Sequence, residues 1–271
     1  GLQFLGAHTG QDVPSQEKWA ETMAWWDTCI AAHQAAGVKW IVQPWMGATG
    51  YESVEGLKNY CSYFNAVGEK CNAAGIRFGY HNHDKEFSTL LDGKPVYDWM
   101  LEFTDSTKVM FQMDLYWTVV GGKDPIEYFN KYPGRFELWH IKDKAEVGGE
   151  GTMMNFAPIF AERAKAGAKY GIVEVEEYNF PPLESCAKSI EHLKAAEYSK
   201  NNTVEKYIAE EILPALNIME EHGFHPSFFA YPGSNNDELT DKALLKYFRH
   251  LRTGCSVSES MQSTERAFIK M

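Results

Sequence analysis

NAAGIRFGYHNH, residues 72–83, contains the seam of a repeating unit. A helical stretch stops at Ala-Ala-Gly, where Gly75 supplies the left-handed residue that closes a helix without a Cβ clash. An apolar, aromatic run follows with no spacer and ends in His81 and His83. Runs of this kind recur along the chain: LQFLGAH from residue 2, VKWIVQPW from 38, IRFGYHNH from 76, VMFQMDLYW from 109, FELWHIKD from 136 and GIVEVEEY from 171. Between them lie segments of helical period. Two of these, SQEKWAETMAWWDTCIAAHQAAG and SVEGLKNYCSYFNAVGEKCNAAG, open on a Ser suited to N-capping and close on Gly. Strand and helix alternating in this way specify β/α units around a parallel sheet.

Six units over residues 1–196 give about 33 residues per unit, the pitch of a (β/α)8 barrel of roughly 250 residues. The expected fold is α/β, a partial TIM barrel. Because the first strand begins at residue 2, the two units that would complete the barrel are expected to precede Gly1, so the natural N-terminus is expected to be missing. The pattern changes after Ala196. EYSKNNT reads as a linker, taken as residues 197–203, and residues 204–271 read as a short α/β piece. In that piece VEKYIAEEILPALNIMEEHG is an amphipathic helix carrying one Pro, PSFFAYPGSNND is β-like, and DELTDKALLKYFRHLRTG reads as a capped helix to its end.

The chain has 26 basic and 37 acidic residues, a formal charge of −11, and no basic cluster, which argues against a nucleic-acid partner. No apolar run approaches the eighteen or so residues that span a bilayer, and no signal peptide opens the sequence, so a membrane role is not expected and a soluble chain of cytoplasm or periplasm is. The compartment itself is not specified. With 44% hydrophobic residues and eight Trp the sequence can fill a core. The five cysteines, Cys29, Cys61, Cys71, Cys186 and Cys255, lack CxxC spacing and read as isolated reduced thiols on helices.

In a parallel barrel the site is built at the C-terminal ends of the strands, and residues i and i+2 share a face. Four consecutive strands here end in such pairs: His81 with His83, Asp114 with Tyr116, His140 with Lys142, and Glu174 with Glu176. Any one pair reads as a solvated strand end. Four together read as a site, because burying several ionisable groups around one mouth is costly unless they share a metal or a substrate. His8, and Gln43 with Trp45, are weaker candidates for the same mouth. Asp, His and Glu without thiolate suit Mn, Mg, Co or Zn, and an open site of that kind assists removal of a proton next to a carbonyl.

The stretches GYHNHDKEF, FQMDLYW, GGKDPIEYFNKYPGRFELWHIKDK and VEVEEYNFPPLESCAKSIEHLKAA resemble the sugar phosphate isomerase/epimerase family, with its xylose isomerase-like barrel, which includes inosose dehydratases and ketose epimerases. The resemblance covers residues 1–196 and implies strands three to eight of the family barrel. It also implies that Asp114, His140 and Glu174 are metal ligands, with His81 at a position where the epimerases carry Glu. That departure tilts the resemblance toward the dehydratase branch. Glu174, with a histidine (His81 or His83) or Lys142, is then the proton-transfer set, and His8, Trp45, Tyr116, Trp117 and Glu176 are the substrate-binding candidates. The implied activity is isomerisation, epimerisation or β-elimination of a keto sugar, sugar phosphate or cyclic polyol through an enediolate. The implied partner is a small carbohydrate, and an oligomer is compatible. The tail resembles the polysaccharide deacetylases through PSFFAYPGSNNDELTDKALLKYFRHLRT but lacks their metal motifs; Tyr231 and Pro232 match a groove wall, while His222 and His225 read as surface residues. A deacetylase fragment, or a truncated chain without catalysis, are the alternatives.

Overall fold

Each of the six apolar runs becomes a strand in the computed structural model, which describes residues 4–199, 208–230, 238–253 and 268–270. The strands are β1 (Gly6–His8), β2 (Trp40–Gln43), β3 (Arg77–His81), β4 (Val109–Asp114), β5 (Leu138–Ile141) and β6 (Tyr170–Val173). They form one parallel sheet in chain order, β1 to β6. A flat sheet would hold β1 and β5 roughly 19 Å apart at about 4.8 Å per strand. Instead the His8 ring on β1 stacks on the His140 ring on β5 at 5.2 Å between centroids. The sheet therefore curls into a partial barrel with its strand ends converging.

Alternation along the strands sorts side chains into two apolar layers. Trp40, Val42, Met110 and Leu138, with Leu5 and Ile172, fill the concave side. Residues of opposite parity, including Ile41, Phe78, Tyr80, Phe111 and Trp139, pack outward against the helices. Each such buried aromatic contributes roughly 1.5–3 kcal/mol of transfer free energy. A Cβ at Gly79, on the concave side, would lie 2.7 Å from the Met110 sulfur, so a larger residue there would make the Met110 side chain move. The helices cover the convex side, among them α1 (Trp19–Ala35) and α2 (Val54–Ala73). Gly37 and Gly75, at φ 77° and 72°, close them in the left-handed conformation the sequence calls for. Ser53 caps α2 by accepting the Gly56 N–H at 3.0 Å. Ser15 does not cap α1, because a 3-10 turn over Gln16–Lys18 carries the chain away from the hydroxyl before the α-helix begins.

At the N-terminal ends of the strands Glu137 joins three elements. Its carboxylate accepts from Arg77 at 3.0 Å, Lys169 at 2.9 Å and the Trp40 indole at 3.3 Å. Burial pushes this carboxyl up, but the Lys169, Arg77 and Trp40 bonds outweigh it and hold it below the usual carboxylate range.

The contacts divide the chain into two units, residues 1–199 and 200–271. In the second unit three short parallel strands, Phe228–Ala230, His250–Thr253 and Phe268–Lys270, form a sheet with His250–Thr253 in the middle. Ile208, Ile212, Leu244, Phe248 and Leu251 form its core. The amphipathic segment contains a π-helical turn, Ile208–Ile212, before the α-helix Leu213–Glu221, consistent with Pro214 withholding a backbone donor at that junction. The following helix ends at Leu244 rather than running on to Gly254. Arg249 and His250 donate their backbone N–H groups to the Ser227 carbonyl, which draws residues 250–253 into the sheet as a strand. Cys29, Cys61, Cys71 and Cys186 are free thiols, all on helices. The linker residues after Ser199, Tyr231 with Pro232, and Cys255 lie outside the described residues. Among the described residues no helix is long and apolar enough to cross a membrane.

Candidate active site

Asp114 ends β4 and starts the helix Leu115–Val120, so one carboxylate oxygen has a local task. Its Oδ1 accepts the Trp117 N–H at 2.8 Å as an N-cap. Asn82 pins the backbone of Asp114 from both sides, accepting its N–H at 3.1 Å and donating to its carbonyl at 3.3 Å. The Thr118 hydroxyl donates to the same carbonyl at 2.6 Å. Held this firmly and fully buried, Asp114 leaves Oδ2 without a hydrogen-bond partner among the described residues. Burial pushes its carboxyl well above the usual range, and the charge of Glu174 adds to that.

Asp114 faces His140 across the β4–β5 ladder, with Oδ2 3.8 Å from Nδ1. The same Nδ1 lies 3.1 Å from Oε2 of Glu174, just past the end of β6. This contact, with smaller help from Lys142, outweighs burial and holds the Glu174 carboxyl down at about 2. His81 closes the group: its ring lies 4.4 Å from that of His140 and 5.0 Å from that of His8. Burial, then the neighbouring imidazoles, push His81 well below its ordinary value, so the ring is neutral, and its Nδ1 is buried without a partner. His81, Asp114, His140 and Glu174 thus offer ligand atoms all within 4.8 Å of one another, and His8, His81 and His140 form a second group meeting the same limit.

Around this cluster stands a polar and aromatic rim. The Lys142 side chain is 3% exposed; its ammonium lies 3.8 Å from Glu174, bonds Glu176 closely and sits 5.4 Å from the centre of the Trp117 ring. Tyr116 packs edge-on to Trp117 at 5.2 Å, and its phenol is pushed up by burial and then by the carboxylates of Glu177, Asp143, Asp114 and Glu176. His83 contacts His81 edge-on at 4.9 Å and lies 6.1 Å from Trp117.

The structure therefore brings together His8, His81, His83, Asp114, Tyr116, Trp117, His140, Lys142, Glu174 and Glu176. It does so by a different local route from the i, i+2 rule, because β3, β4, β5 and β6 stop at His81, Asp114, Ile141 and Val173. His83 sits in the irregular segment after β3, Tyr116 in a helix started by Asp114, and Lys142, Glu174 and Glu176 in the segments that leave the sheet. Trp45 stands apart: it is 42% exposed, and no ring contact or side-chain hydrogen bond among the described residues joins it to the cluster. Gln43 is fully buried and donates to the Gln11 and Trp45 carbonyls, tying two loops together. In the second unit His222 and His225 are exposed.

Three residues of the site are not among the sequence candidates. Gln112 lies two positions before Asp114 on the same face and accepts from His8; one further step of strand alternation finds it. Asn82 has no such signal, since its task is to hold Asp114 across the ladder. Glu86 is buried and accepts the His83 backbone N–H at 2.8 Å together with the hydroxyls of Tyr51 and Tyr80 at 2.5 and 2.7 Å. In sequence it is one acidic residue in a charged stretch.

The chain is 26% identical over 155 residues to an inosose dehydratase of Lacticaseibacillus casei, covering 48% of this chain and 51% of that one. It thus spans about half the length of the curated relatives it matches. Among solved structures, a sugar phosphate isomerase/epimerase from Parabacteroides distasonis superposes with a TM-score of 0.69 at 34% identity, over 74% of this chain and 73% of that one. The IOLI protein, solved with a bound zinc atom, matches in fold alone, at TM-score 0.50 and 12% identity over 76% of each chain. The family model described as the xylose isomerase-like TIM barrel matches residues 1–196, and with that match covering most of the sequence, the chain belongs to the xylose isomerase-like TIM barrel family.

Proposed function

We propose that this chain carries the centre of a metal-dependent enzyme that removes a proton next to the carbonyl of a keto sugar, sugar phosphate or cyclic polyol, leading to isomerisation, epimerisation or β-elimination. One observation carries the reading: His81, Asp114, His140 and Glu174, from four consecutive strands, converge within 4.8 Å, and two of their buried polar atoms have no partner among the described residues. Leaving a buried donor or acceptor unpaired costs about 1–3 kcal/mol, so the pair of orphaned atoms fits a ligand that both would bind. Two imidazoles and two carboxylates without thiolate suit Mn, Mg, Co or Zn. A divalent ion there would polarise the substrate carbonyl and stabilise the negative charge that develops on its oxygen.

The remaining work falls to side chains at the mouth. Glu174, 29% exposed, is the most open of the four cluster residues, which supports reading it as the base that takes a proton from a substrate carbon. Lys142, between Glu174 and Glu176, can return a proton to a substrate oxygen, and its ammonium keeps both carboxylates in register. His83, fixed through its backbone by Glu86, is the second candidate for that return. His81, buried and neutral, serves as a nitrogen ligand. Trp117 and Tyr116 offer ring faces to the C–H surface of a sugar, and Glu176 and His8 offer polar contacts to its hydroxyls. Trp45 is a rim contact at most.

The matches to inosose dehydratases favour elimination of water, and the Parabacteroides distasonis protein favours isomerisation or epimerisation of a sugar phosphate. The test is elemental analysis of the purified chain beside Asp114→Ala and His140→Ala, followed by solvent deuterium incorporation into keto sugars. Stoichiometric metal in the wild type, lost in both variants, is expected. A variant that keeps wild-type metal content would sink the assignment.

A further inference from the structure

Gln112 occupies a position that the cluster itself does not explain. It is buried on the concave face of β4, across the ladder from His81, and its Oε1 lies 2.5 Å from Nε2 of His8. That bond joins β1 to β4, three strands apart, and no hydrogen bond within a flat sheet could span it. It also fixes chemistry. An amide oxygen accepts and cannot donate, so the imidazole nitrogen facing it carries the proton, and the other ring nitrogen keeps its lone pair. The His8 ring lies parallel to that of His140, 11° between planes, and one of its two ring nitrogens lies within 4.8 Å of ligand atoms of His81 and His140.

We propose that Gln112 is a positioning residue of the centre: by accepting the Nε2 proton of His8 it holds that ring as a third nitrogen donor beside His81 and His140. The proposal rests on the reading of the cluster as a cation site. A carbonyl or carboxylate behind a metal-bound imidazole orients the ring and fixes its tautomer, and removing such a partner lowers metal affinity by about 10- to 100-fold. Gln112 has the geometry of that partner, supplied from a strand that also carries Asp114.

The test titrates cobalt(II) into the wild type, Gln112→Leu, Gln112→Glu, His8→Ala and the His8→Ala/Gln112→Leu double variant, following the visible absorption of bound cobalt. Gln112→Leu should weaken binding about 10- to 100-fold, and Gln112→Glu, which keeps an acceptor, should restore most of it. In the His8→Ala background Gln112→Leu should add less than about twofold, since a residue acting through His8 has nothing left to position. Long-range proton–nitrogen NMR of the metal-free chain should show the His8 proton on Nε2 in the wild type and a mixture in Gln112→Leu. Cobalt binding by Gln112→Leu equal to the wild type, or fully additive losses in the double variant, would overturn the role of Gln112. No cobalt bound by the wild type would overturn the metal reading and the donor role together. Should Gln112→Leu fail to fold, Gln112→Glu and the NMR signature of the wild type decide, and a wild-type His8 protonated on Nδ1 refutes the proposal.

Discussion

Glu137 and Asp114 are buried carboxylates at opposite ends of the same parallel sheet, and their surroundings differ. Both oxygens of Glu137 are engaged, by Arg77 on one side and by Lys169 and Trp40 on the other. Asp114 is more deeply buried and keeps one oxygen bare. The first arrangement stabilises the metal-free fold by itself, and the second is stabilising only when something else supplies the missing partner. In a β/α barrel the N-terminal ends of the strands serve stability and the C-terminal ends serve chemistry. Here the difference comes down to whether a carboxylate oxygen has a donor.

The largest expected effect is at the satisfied end. Glu137→Ala leaves Arg77 and the Trp40 indole without their acceptor and should lower unfolding free energy by about 3 kcal/mol, read from the urea midpoint. A loss under about 1 kcal/mol would mean that water or another side chain takes over, and the contrast would fail. Asp114→Asn probes the other end with the opposite sign. Its amide oxygen can keep the cap on Trp117 while the cost of a carboxyl that burial pushes above its usual range disappears, so the metal-free chain should become more stable by about 1 kcal/mol as it loses metal affinity. Destabilisation by this variant would show that Asp114 works for the fold and not against it.

A pH series sharpens the contrast. The Glu137 carboxyl titrates lower in the folded chain than in the unfolded one, so the native state binds fewer protons in that range. Its contribution is complete above the ordinary carboxylate range and is lost as pH falls through the folded value. The stability gap between wild type and Glu137→Gln should therefore be widest at about pH 6 and should narrow progressively as pH falls below the ordinary carboxylate range. The smallest effect belongs to Lys169, whose side chain is 53% exposed. Lys169→Met should cost under about 1 kcal/mol, because solvent screens that half of the network. A cost as large as that of Glu137→Ala would make the exposed lysine, not the less exposed Arg77 pairing, the main support.

The strands and the Asp114 half of this contrast are legible in the sequence; Glu137 carries no such signal. The strands announce themselves through apolar, β-branched and aromatic runs behind Gly-closed helices, as at Gly75 before β3, and both signals are local. His81, Asp114, His140 and Glu174 stand out because polar residues at the ends of four successive apolar runs are improbable without a shared purpose. Strand periodicity picks out Tyr116 and His83 but does not reach them: capping by Asp114 turns the chain into a helix at Leu115, and an irregular segment follows His81. The second unit misled for a related reason. Residues 245–253 have helical composition, but backbone bonding to Ser227 places 250–253 in a sheet.

The sequence by itself determined where the six barrel strands lie and which polar residues stand near their ends, because these depend on propensity, capping and alternation over a few residues. Only the tertiary structure decided that the sheet curls tightly enough for Gln112 to meet His8 across three strands. It likewise decided that Asn82 and Glu86 support Asp114 and His83, that Trp45 stands apart from the cluster, and that Oδ2 of Asp114 has no partner among the described residues. Distances across a sheet are set by how its two apolar layers pack, and that packing is a sum over residues far apart in the chain.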